Sequence, residues 1–494
     1  MPIHFRNPQD AALLREAFLS AAYNVHTLRQ HMRWDGVAPS MATHAPALLD
    51  ALAGDPKLTG LLKLFLFEYA VSPREASEAI HPAKVEALIE AGVMRSAGGT
   101  VEACVRIVPL DHLLIVADRR YTGSELPRDL VMGAGLSSTI LMHGTIRNPA
   151  ARTLDLCAGS GVQSLAAASH SGSVLALEKN AHAIELGRFA AVLNGVDTIE
   201  FQESDFFSAA EGEFDLIVAN PPYVISPEAE FQFRDGGLGA DRVAEHVVRN
   251  GPRFLNEGGY CQMVCDWANY SGVAWQDHLA GWAENSGCDM LVLRGRGMTA
   301  REYPGIWLAE TFSGVPSMYL EKSHRWLASY REQGIESMNF GFITLRKRAA
   351  PQNWFHAMDA PLEGLTVTGA FIERMFHAQD FLRANSTADL LLEQHLSLES
   401  EVRIDQRYVP AGETWELDEC ALAMADSSLP PIKTDRYIAG LCGRLRGNRP
   451  LRDVVAEMAG GMNTTMDKLV PQVMPILRSL IEGGYMGWKT EPPR

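Results

Sequence analysis

Residues 153–165, TLDLCAGSGVQSL, indicate the fold of this chain. A run of apolar residues ends at Asp155 and turns through Gly159 and Gly161 into a segment with helical character. Glycine suits a turn in which the backbone takes a positive φ or lies against a ligand. The spacing here is Asp-x-x-x-Gly-x-Gly and not the G-x-G-x-x-G fingerprint of dinucleotide-binding sheets, which disfavours a dehydrogenase.

Strand and helix patterns alternate through residues 151–348, as expected for a parallel, doubly wound α/β sheet. Ligands of such sheets bind beyond the carboxyl ends of the strands. The predicted strands are TLDLC, SVLALEKN, IEFQESD, FDLIVAN, GYCQMVC, CDMLVLRG and MNFGFITLRKR. The predicted helices are GVQSLAAAS, AHAIELGRFAAVLNG, VAEHVVRNGPRFL and WQDHLAGWAENS.

Acidic residues follow the second and third strands, and an unusual tetrapeptide follows the fourth. Glu178 could accept hydrogen bonds from both hydroxyls of a ribose. Asp205 could accept from an adenine amino group, with Phe206 packed beside the ring. Either acid alone would usually be a solvated loop carboxylate. The evidence for a binding site is that the glycine turn, the two acids and the tetrapeptide follow four successive strands in order.

The tetrapeptide is Asn220-Pro221-Pro222-Tyr223, and two prolines cannot continue a sheet ladder. With these motifs, residues from about 130 to 348 resemble class I S-adenosylmethionine-dependent methyltransferases, specifically the HemK/PrmC-like enzymes of the N5-glutamine and N6-adenine type. FRDGGLGADRV (233–243) is similar to their post-motif segment, and VMGAGLSSTILM (131–142) occupies the place of their cofactor-closing segment. The resemblance implies a Rossmann-like sheet and S-adenosyl-L-methionine as cofactor. The cofactor-binding residues that it implies are Asp155, Ala158, Gly159, Gly161, Glu178, Asp205, Phe206 and Asn220.

The tetrapeptide also suits the chemistry of such an enzyme. A planar nitrogen is a poor nucleophile because its lone pair is delocalised. The Asn220 side-chain oxygen and the Pro221 carbonyl could accept its N–H bonds and favour the transition state. Pro222 would stiffen the backbone and Tyr223 would stack on the planar group. Trp267 and Tyr270 could line an acceptor pocket or equally lie in the core.

The sequences on either side of this region are mainly helical. We expect residues 1–105 to form a helical, winged-helix-like cap, 106–150 a bridging segment, 151–348 the cofactor-binding domain and 349–494 a mainly helical domain with a winged-helix-like end. The third helix of the predicted winged-helix-like cap carries Lys84, Glu86 and Glu90 and is therefore not basic. This favours a role of the cap in protein contact or substrate gating over nucleic-acid binding.

Composition limits the remaining possibilities. A formal net charge of -16 disfavours non-specific binding to nucleic acid. Seven scattered cysteines predict a reducing compartment and no metal site. The N-terminal residues lack a signal-peptide pattern, and no apolar run is long enough to span a membrane. We therefore expect a cytoplasmic enzyme without a membrane partner.

Several alternatives for the acceptor remain open. A protein glutamine side chain or similar amide comes first, a nucleobase amino group second, and a small amino or guanidino metabolite third. A non-catalytic adaptor built on a methyltransferase fold is the competing class, and cofactor binding would separate it from the enzyme.

Overall fold

The computed structural model describes residues 3–31, 41–120, 127–228, 231, 234, 239–312, 315–365, 367–424 and 431–488. The chain divides into two compact units, Met1–Met358 and Asp359–Arg494. We expected a boundary at 348/349, ten residues earlier. The difference arises because residues 352–364, QNWFHAMDAPLEG, contain a strand of the main sheet, although their sequence predicts a linker.

The N-terminal part of the first unit is mainly helical, and its sequence marks one helix start by a Ser that can cap, followed directly by a Pro. Ser72 accepts a hydrogen bond from the Glu75 amide at 3.2 Å, directly before Pro73. The helices are α1 Pro8–Ser20, α2 Val25–His31, α3 Met41–Ala51, α4 Pro56–Leu61, a π-helical turn Leu62–Leu66, α5 Pro73–Ile80 and α6 Val85–Glu90.

Two antiparallel hairpins follow these helices. The strands are β1 Met94–Ala97, β2 Thr100–Ala103, β3 Val105–Leu110 and β4 Leu113–Asp118, with β1 pairing β2 and β3 pairing β4. The sequence TVEACVRIV (100–108) predicts a single strand and MRSAGG (94–99) a turn. In the structure this strand is divided at Cys104, and the turn is partly strand. The winged-helix assignment of residues 1–105 stays a prediction.

The segment 131–146 is rich in small residues, which predicts a loop that closes over a ligand, but it is helical for much of its length. Residues Leu136–Gly144 form α7, which begins after Gly135 and buries Ile140, Leu141 and Met142. Its apolar run packs against the sheet, which explains why a helix replaces the expected loop.

The main sheet has eight strands in the order β12-β10-β11-β9-β8-β5-β6-β7. The strands are β5 Ala150–Leu156, β6 Ser171–Glu178, β7 Ile199–Glu203, β8 Phe214–Ala219, β9 Leu255–Tyr270, β10 Cys288–Thr299, β11 Ile335–Lys347 and β12 Phe355–Asp359. Strands β5 to β9 pair in parallel, which confirms the Rossmann-like α/β fold. The sheet is mixed and not parallel throughout, because β11 runs antiparallel to both β9 and β10.

The crossover helices occupy the predicted places, and two further helices were not predicted. The helices are α8 Val162–Ala167, α9 Ala181–Asn194, a 3₁₀ turn Phe206–Ala209, α10 Arg242–Asn250, a 3₁₀ turn Gly251–Phe254, α11 Trp275–Trp282, α12 Tyr303–Phe312 and α13 Pro316–Gln333. The last two form an insert between β10 and β11. Their buried residues pack with Val224 and Ile225, which follow the Asn-Pro-Pro-Tyr motif.

The second unit combines helices with a β-ribbon. Its elements are a 3₁₀ turn Leu362–Gly364, α14 Gly369–Ala384, α15 Ala388–Leu392, β13 Leu396–Leu398, β14 Val402–Ala411, β15 Thr414–Met424, β16 Ile432–Thr434, α16 Arg436–Cys442, α17 Leu451–Gly461, α18 Met466–Glu482 and β17 Met486–Trp488. The sequence EVRIDQRYVP (401–410) predicts a strand, which β14 confirms. The sequence from 465 to 489 predicts one helix, but the helix ends at Glu482, and β17 beyond it pairs with β13. Within the described residues of the whole chain, no helix is both long enough and apolar enough to cross a membrane.

Candidate active site

The motif-bearing ends of four parallel strands meet at one edge of the sheet. Leu156, the last residue of β5, lies opposite Leu177 on one side and Ala219 on the other. Glu178 at the end of β6 lies opposite Glu203 at the end of β7. The segments after these strands, which carry the predicted site residues, are therefore neighbours in space.

The glycine turn after β5 has the positive φ angles that its glycines predict. Gly159 has a φ of 56° and Gly161 a φ of 81°, both in the left-handed region. A Cβ on Gly161 would lie 2.9 Å from the ring of Phe201, so this glycine permits close helix–sheet packing. A Cβ on Gly159 would meet no atom of the described residues within 4 Å, so the space over it is open. Ala158, directly before Gly159, is buried, and its amide donates to the carbonyl of Leu177 on β6 at 3.0 Å.

Asp155 lies beneath this turn and is 1% exposed. Its Oδ2 accepts from the Ser164 amide at 2.8 Å and from the Ser164 hydroxyl at 2.6 Å. Its Oδ1 is buried and has no hydrogen-bond partner in the part of the chain that the structure describes. Burial raises the pKa of Asp155 to about 7, although the hydrogen bonds from Ser164 act in the opposite direction. One carboxylate oxygen is therefore left to receive a donor from a ligand.

Glu178 ties the glycine turn to the next helix. Its Oε2 accepts from the Gly159 amide and its Oε1 from the Asn180 amide, both at 2.8 Å. Asn180 is the N-cap of α9, and its side chain accepts from the His182 amide at 3.0 Å. Glu178 thus lies directly beside the open turn, as the sequence predicts.

Asp205 and Phe206 lie at the edge of the site. Asp205 is exposed, precedes the 3₁₀ turn and pairs with Lys179 at 3.1 Å. Phe206 has a φ of 48°, and its ring centroid lies 5.0 Å from that of His246. Their roles at an adenine ring stay predictions.

Asn220, the residue after β8, is oriented by helix α7. Its Nδ2 donates to the Ser138 hydroxyl at 3.1 Å and approaches the Ser137 hydroxyl at 3.5 Å. Ser138 is itself fixed, since its carbonyl accepts from the Gln163 side chain at 2.8 Å. The Asn220 Oδ1 is buried and finds no hydrogen-bond partner among the described residues. The amide is thus held at its nitrogen while its oxygen is left available as an acceptor.

The two prolines lead into a small aromatic cluster. Pro221 is buried, and Pro222 and Tyr223 are half-buried. The Tyr223 ring lies 6.3 Å from the Trp307 ring and 6.0 Å from the Phe340 ring, centroid to centroid. Trp307 belongs to α12 and Phe340 to β11, so sequence reasoning on the motif alone missed both.

The other aromatic candidates lie elsewhere. Trp267 is fully buried and stacks on Trp275 at 5.7 Å, so it belongs to the core. The Tyr270 hydroxyl donates to the carboxylate of Asp241 at 3.3 Å, beside His278. Of the predicted segment 233–243, residues 233 and 235–238 lie outside the described residues.

Comparison with known proteins gives two family matches and several relatives. Residues 135–271 match the family model "Methyltransferase small domain", and residues 373–486 match a domain of unknown function (DUF7782). Ribosomal RNA small subunit methyltransferase C of Salmonella arizonae is 34% identical over 136 residues, which are 27% of this chain and 36% of that protein.

A Methanocaldococcus jannaschii protein, provisionally named a protein N5-glutamine methyltransferase, is 33% identical over 119 residues, which are 22% of this chain and 59% of that protein. The chain thus spans about a third to three-fifths of these relatives. The crystal structure of M. jannaschii tRNA m1G37 methyltransferase covers 56% of this chain and 67% of its own, at 16% identity. Its TM-score of 0.30 is too low to support a conclusion.

The family match begins at Gly135, just before α7, and ends after β9. It therefore includes the glycine turn, both acidic strand ends and the Asn-Pro-Pro-Tyr motif. Residues 135–271 of this chain are thus similar in sequence to methyltransferase small domains, and they contain the five parallel-paired strands of the Rossmann-like sheet.

Proposed function

We propose that this protein is an S-adenosylmethionine-dependent N-methyltransferase that acts on a planar nitrogen. The observation that carries the proposal is the buried Oδ1 of Asn220, which lacks a hydrogen-bond partner among the described residues. Leaving a buried acceptor unsatisfied is costly, so it is expected to bind a ligand donor when the site is filled.

The residues at the glycine turn fit the proposed cofactor. Asp155 offers a buried carboxylate oxygen to an ammonium group, and Gly159 leaves open space over the turn. Glu178 offers a carboxylate beside that space to ribose hydroxyls. Asp205 and Phe206 would hold the adenine from the outer edge. When bound, S-adenosylmethionine supplies a methyl group on a positively charged sulfur.

The motif residues would activate the acceptor. Asn220 Oδ1 and the Pro221 carbonyl accept its N–H bonds and draw its lone pair out of conjugation. Both become better partners as positive charge develops on the nitrogen, so they stabilise the transition state more than the ground state. Tyr223 supplies the flat surface on which a planar group stacks. A strong base is unnecessary, because the proton can leave after the transfer.

A protein glutamine-type amide is our first choice of acceptor. One relative carries that activity in its name, and the net charge of -16 repels a long polyanion. The terminal domains would then contact the protein that presents the glutamine. The seven cysteines, all within the described residues, form no disulfide, which supports a reducing, cytoplasmic location.

A nucleobase amino group is the second candidate. The aromatic cluster of Tyr223, Trp307 and Phe340 favours it, since unstacked bases are commonly bound on aromatic side chains. One relative is named as a ribosomal RNA methyltransferase.

The test has two stages. Calorimetry should detect S-adenosylmethionine binding. Absence of binding at millimolar cofactor would contradict the enzyme and favour the non-catalytic adaptor. Transfer of a labelled methyl group should then be measured onto glutamine-containing protein fractions and, separately, onto ribosomal RNA from cells that lack this protein. Label found only in the RNA would contradict a protein glutamine as the acceptor and would support a nucleobase amino group instead.

A further inference from the structure

Two buried tyrosines of the helical insert bind the backbone of one residue, Ile225. The Ile225 amide donates to the Tyr303 hydroxyl at 3.1 Å. The Tyr330 hydroxyl donates to the Ile225 carbonyl at 2.6 Å. Tyr303 is on α12 and Tyr330 on α13, so each helix of the insert supplies one contact.

The pair is anchored to the sheet through a third group. The Tyr303 hydroxyl donates to the carboxylate of Asp266, which lies on β9. All four residues are buried: Tyr303 is 0% exposed, and Ile225, Tyr330 and Asp266 are no more than 2% exposed. Burial raises the pKa of Asp266 to about 7, and the hydrogen bond from Tyr303 opposes this. Such a buried network is rigid as long as every member is satisfied.

The motif needs an anchor of this kind. The segment after β8 has no strand pairing, and its two prolines have no amide hydrogen to donate. Ile225 lies only two residues after Tyr223, and its amide and carbonyl are both held. The Val224 amide also donates, to the Arg234 carbonyl at 3.2 Å. Asn220 is held at the other end by Ser138, so the motif is fixed on both sides.

We propose that Tyr303 and Tyr330 are positioning residues that hold the Asn-Pro-Pro-Tyr segment in its productive place. This inference rests on the proposed function. The two acceptor oxygens at Asn220 and Pro221 are useful only if both meet the same nitrogen, and a displacement of about 1 Å can cost about 100-fold in rate. The insert thus acts on turnover through the position of the motif.

The test compares Tyr330→Phe and Tyr303→Phe with Tyr23→Phe. Tyr23 is a matched control, because its buried hydroxyl donates to the Ile107 carbonyl at 2.7 Å in the N-terminal part of the chain. We expect kcat to fall about tenfold or more in both insert variants, with affinity for S-adenosylmethionine within about twofold of wild type. A kcat in Tyr330→Phe no lower than that of Tyr23→Phe would overturn the proposal.

Hydrogen exchange separates this proposal from the proposed function. The amides of residues 223–226 and 228 should exchange faster in Tyr330→Phe than in wild type or Tyr23→Phe, whether or not an acceptor is known. Unchanged exchange would refute the positioning role. Wild-type protein that fails to bind S-adenosylmethionine would refute the proposed function instead. Tyr303→Phe leaves the Asp266 carboxylate unpaired, so Tyr330→Phe is the decisive variant if Tyr303→Phe does not fold.

Discussion

Ser138 holds Asn220 by its amide nitrogen, at 3.1 Å, and so determines which atom of the side chain is left as an acceptor. A primary amide can present either a donor or an acceptor to a ligand. With the nitrogen bound to a hydroxyl of α7, the oxygen is presented. Helix α7 is therefore part of the catalytic arrangement that we propose, although it lies more than 70 residues before the motif.

The first prediction concerns this contact. Asn220→Ala should lower kcat by about 100- to 1,000-fold, because one oriented acceptor is lost, while calorimetry shows retained cofactor binding. Ser138→Ala should lower kcat less, since Asn220 remains but is free to rotate. Ser137→Ala is the control, because its hydroxyl is 3.5 Å from Nδ2, and its effect should be smaller still. Equal turnover in wild type and Asn220→Ala would show that the acceptor is activated elsewhere.

The second prediction is a pH dependence of cofactor affinity. The pKa of Asp155 is about 7 because of burial, so the carboxyl is largely protonated below that pH. An ammonium group binds the ionised form better, and affinity should therefore rise with pH. The rise should approach tenfold per unit well below pH 7. Calorimetry between about pH 5 and 6.5 stays below the titration of an α-amino group, whose pKa is about 7.7–8.0.

Asp155→Asn is the control for this experiment. Its side chain does not titrate, so binding should be weak and nearly independent of pH over the same range. A slope that persists unchanged in Asp155→Asn would assign the titration to another group.

The third prediction separates backbone strain from loss of ligand space. Gly159 and Gly98 have φ values of 56° and 57°, and a Cβ on either meets no atom of the described residues within 4 Å. Gly159→Ala and Gly98→Ala should therefore lower the melting temperature by similar amounts. Cofactor affinity should fall in Gly159→Ala alone, because only its methyl group enters the open space over the turn. Equal cofactor affinities in Gly159→Ala and Gly98→Ala would show that the cofactor does not bind over the glycine turn.

The fourth prediction concerns Glu178. Glu178→Ala removes charge-assisted hydrogen bonds worth about 1.5–3 kcal/mol each, so we expect cofactor affinity to fall at least tenfold. Glu203→Ala is the matched control, because Glu203 is exposed and lies opposite Glu178 on the next strand. Calorimetry on both variants checks the result. Comparable losses would indicate a general effect of charge and not a ribose contact.

The sequence predicted the parallel half of the sheet because its strands are short apolar runs that end in glycine, acidic residues or proline. Such signals are local, and the positions of Asp155, Glu178 and Asn220 at adjacent strand ends follow from them. The antiparallel position of β11 was not predictable in this way. It depends on which strand β11 pairs with, and not on any pattern within residues 335–347.

The contacts that orient the motif were also missed, for two different reasons. α7 is rich in small residues that are equally common in loops, so Ser138 carried no helical signal. The Tyr303 and Tyr330 contacts join residues 78 and 105 positions apart from Ile225. Tyrosines in an apolar run look the same in a sequence whether their hydroxyls bind water or a distant backbone.

The helical insert leaves the sheet after Thr299 and returns at Ile335, whereas the glycine turn, Glu178 and Asp205 all precede residue 206. The methyl donor and the methyl acceptor of the proposed reaction would thus be bound by stretches of the chain that do not overlap. Over evolutionary time the later stretch could be remodelled, and a new acceptor acquired, while the earlier one remained unaltered. A lineage of such proteins would share one methyl donor and differ in what they modify.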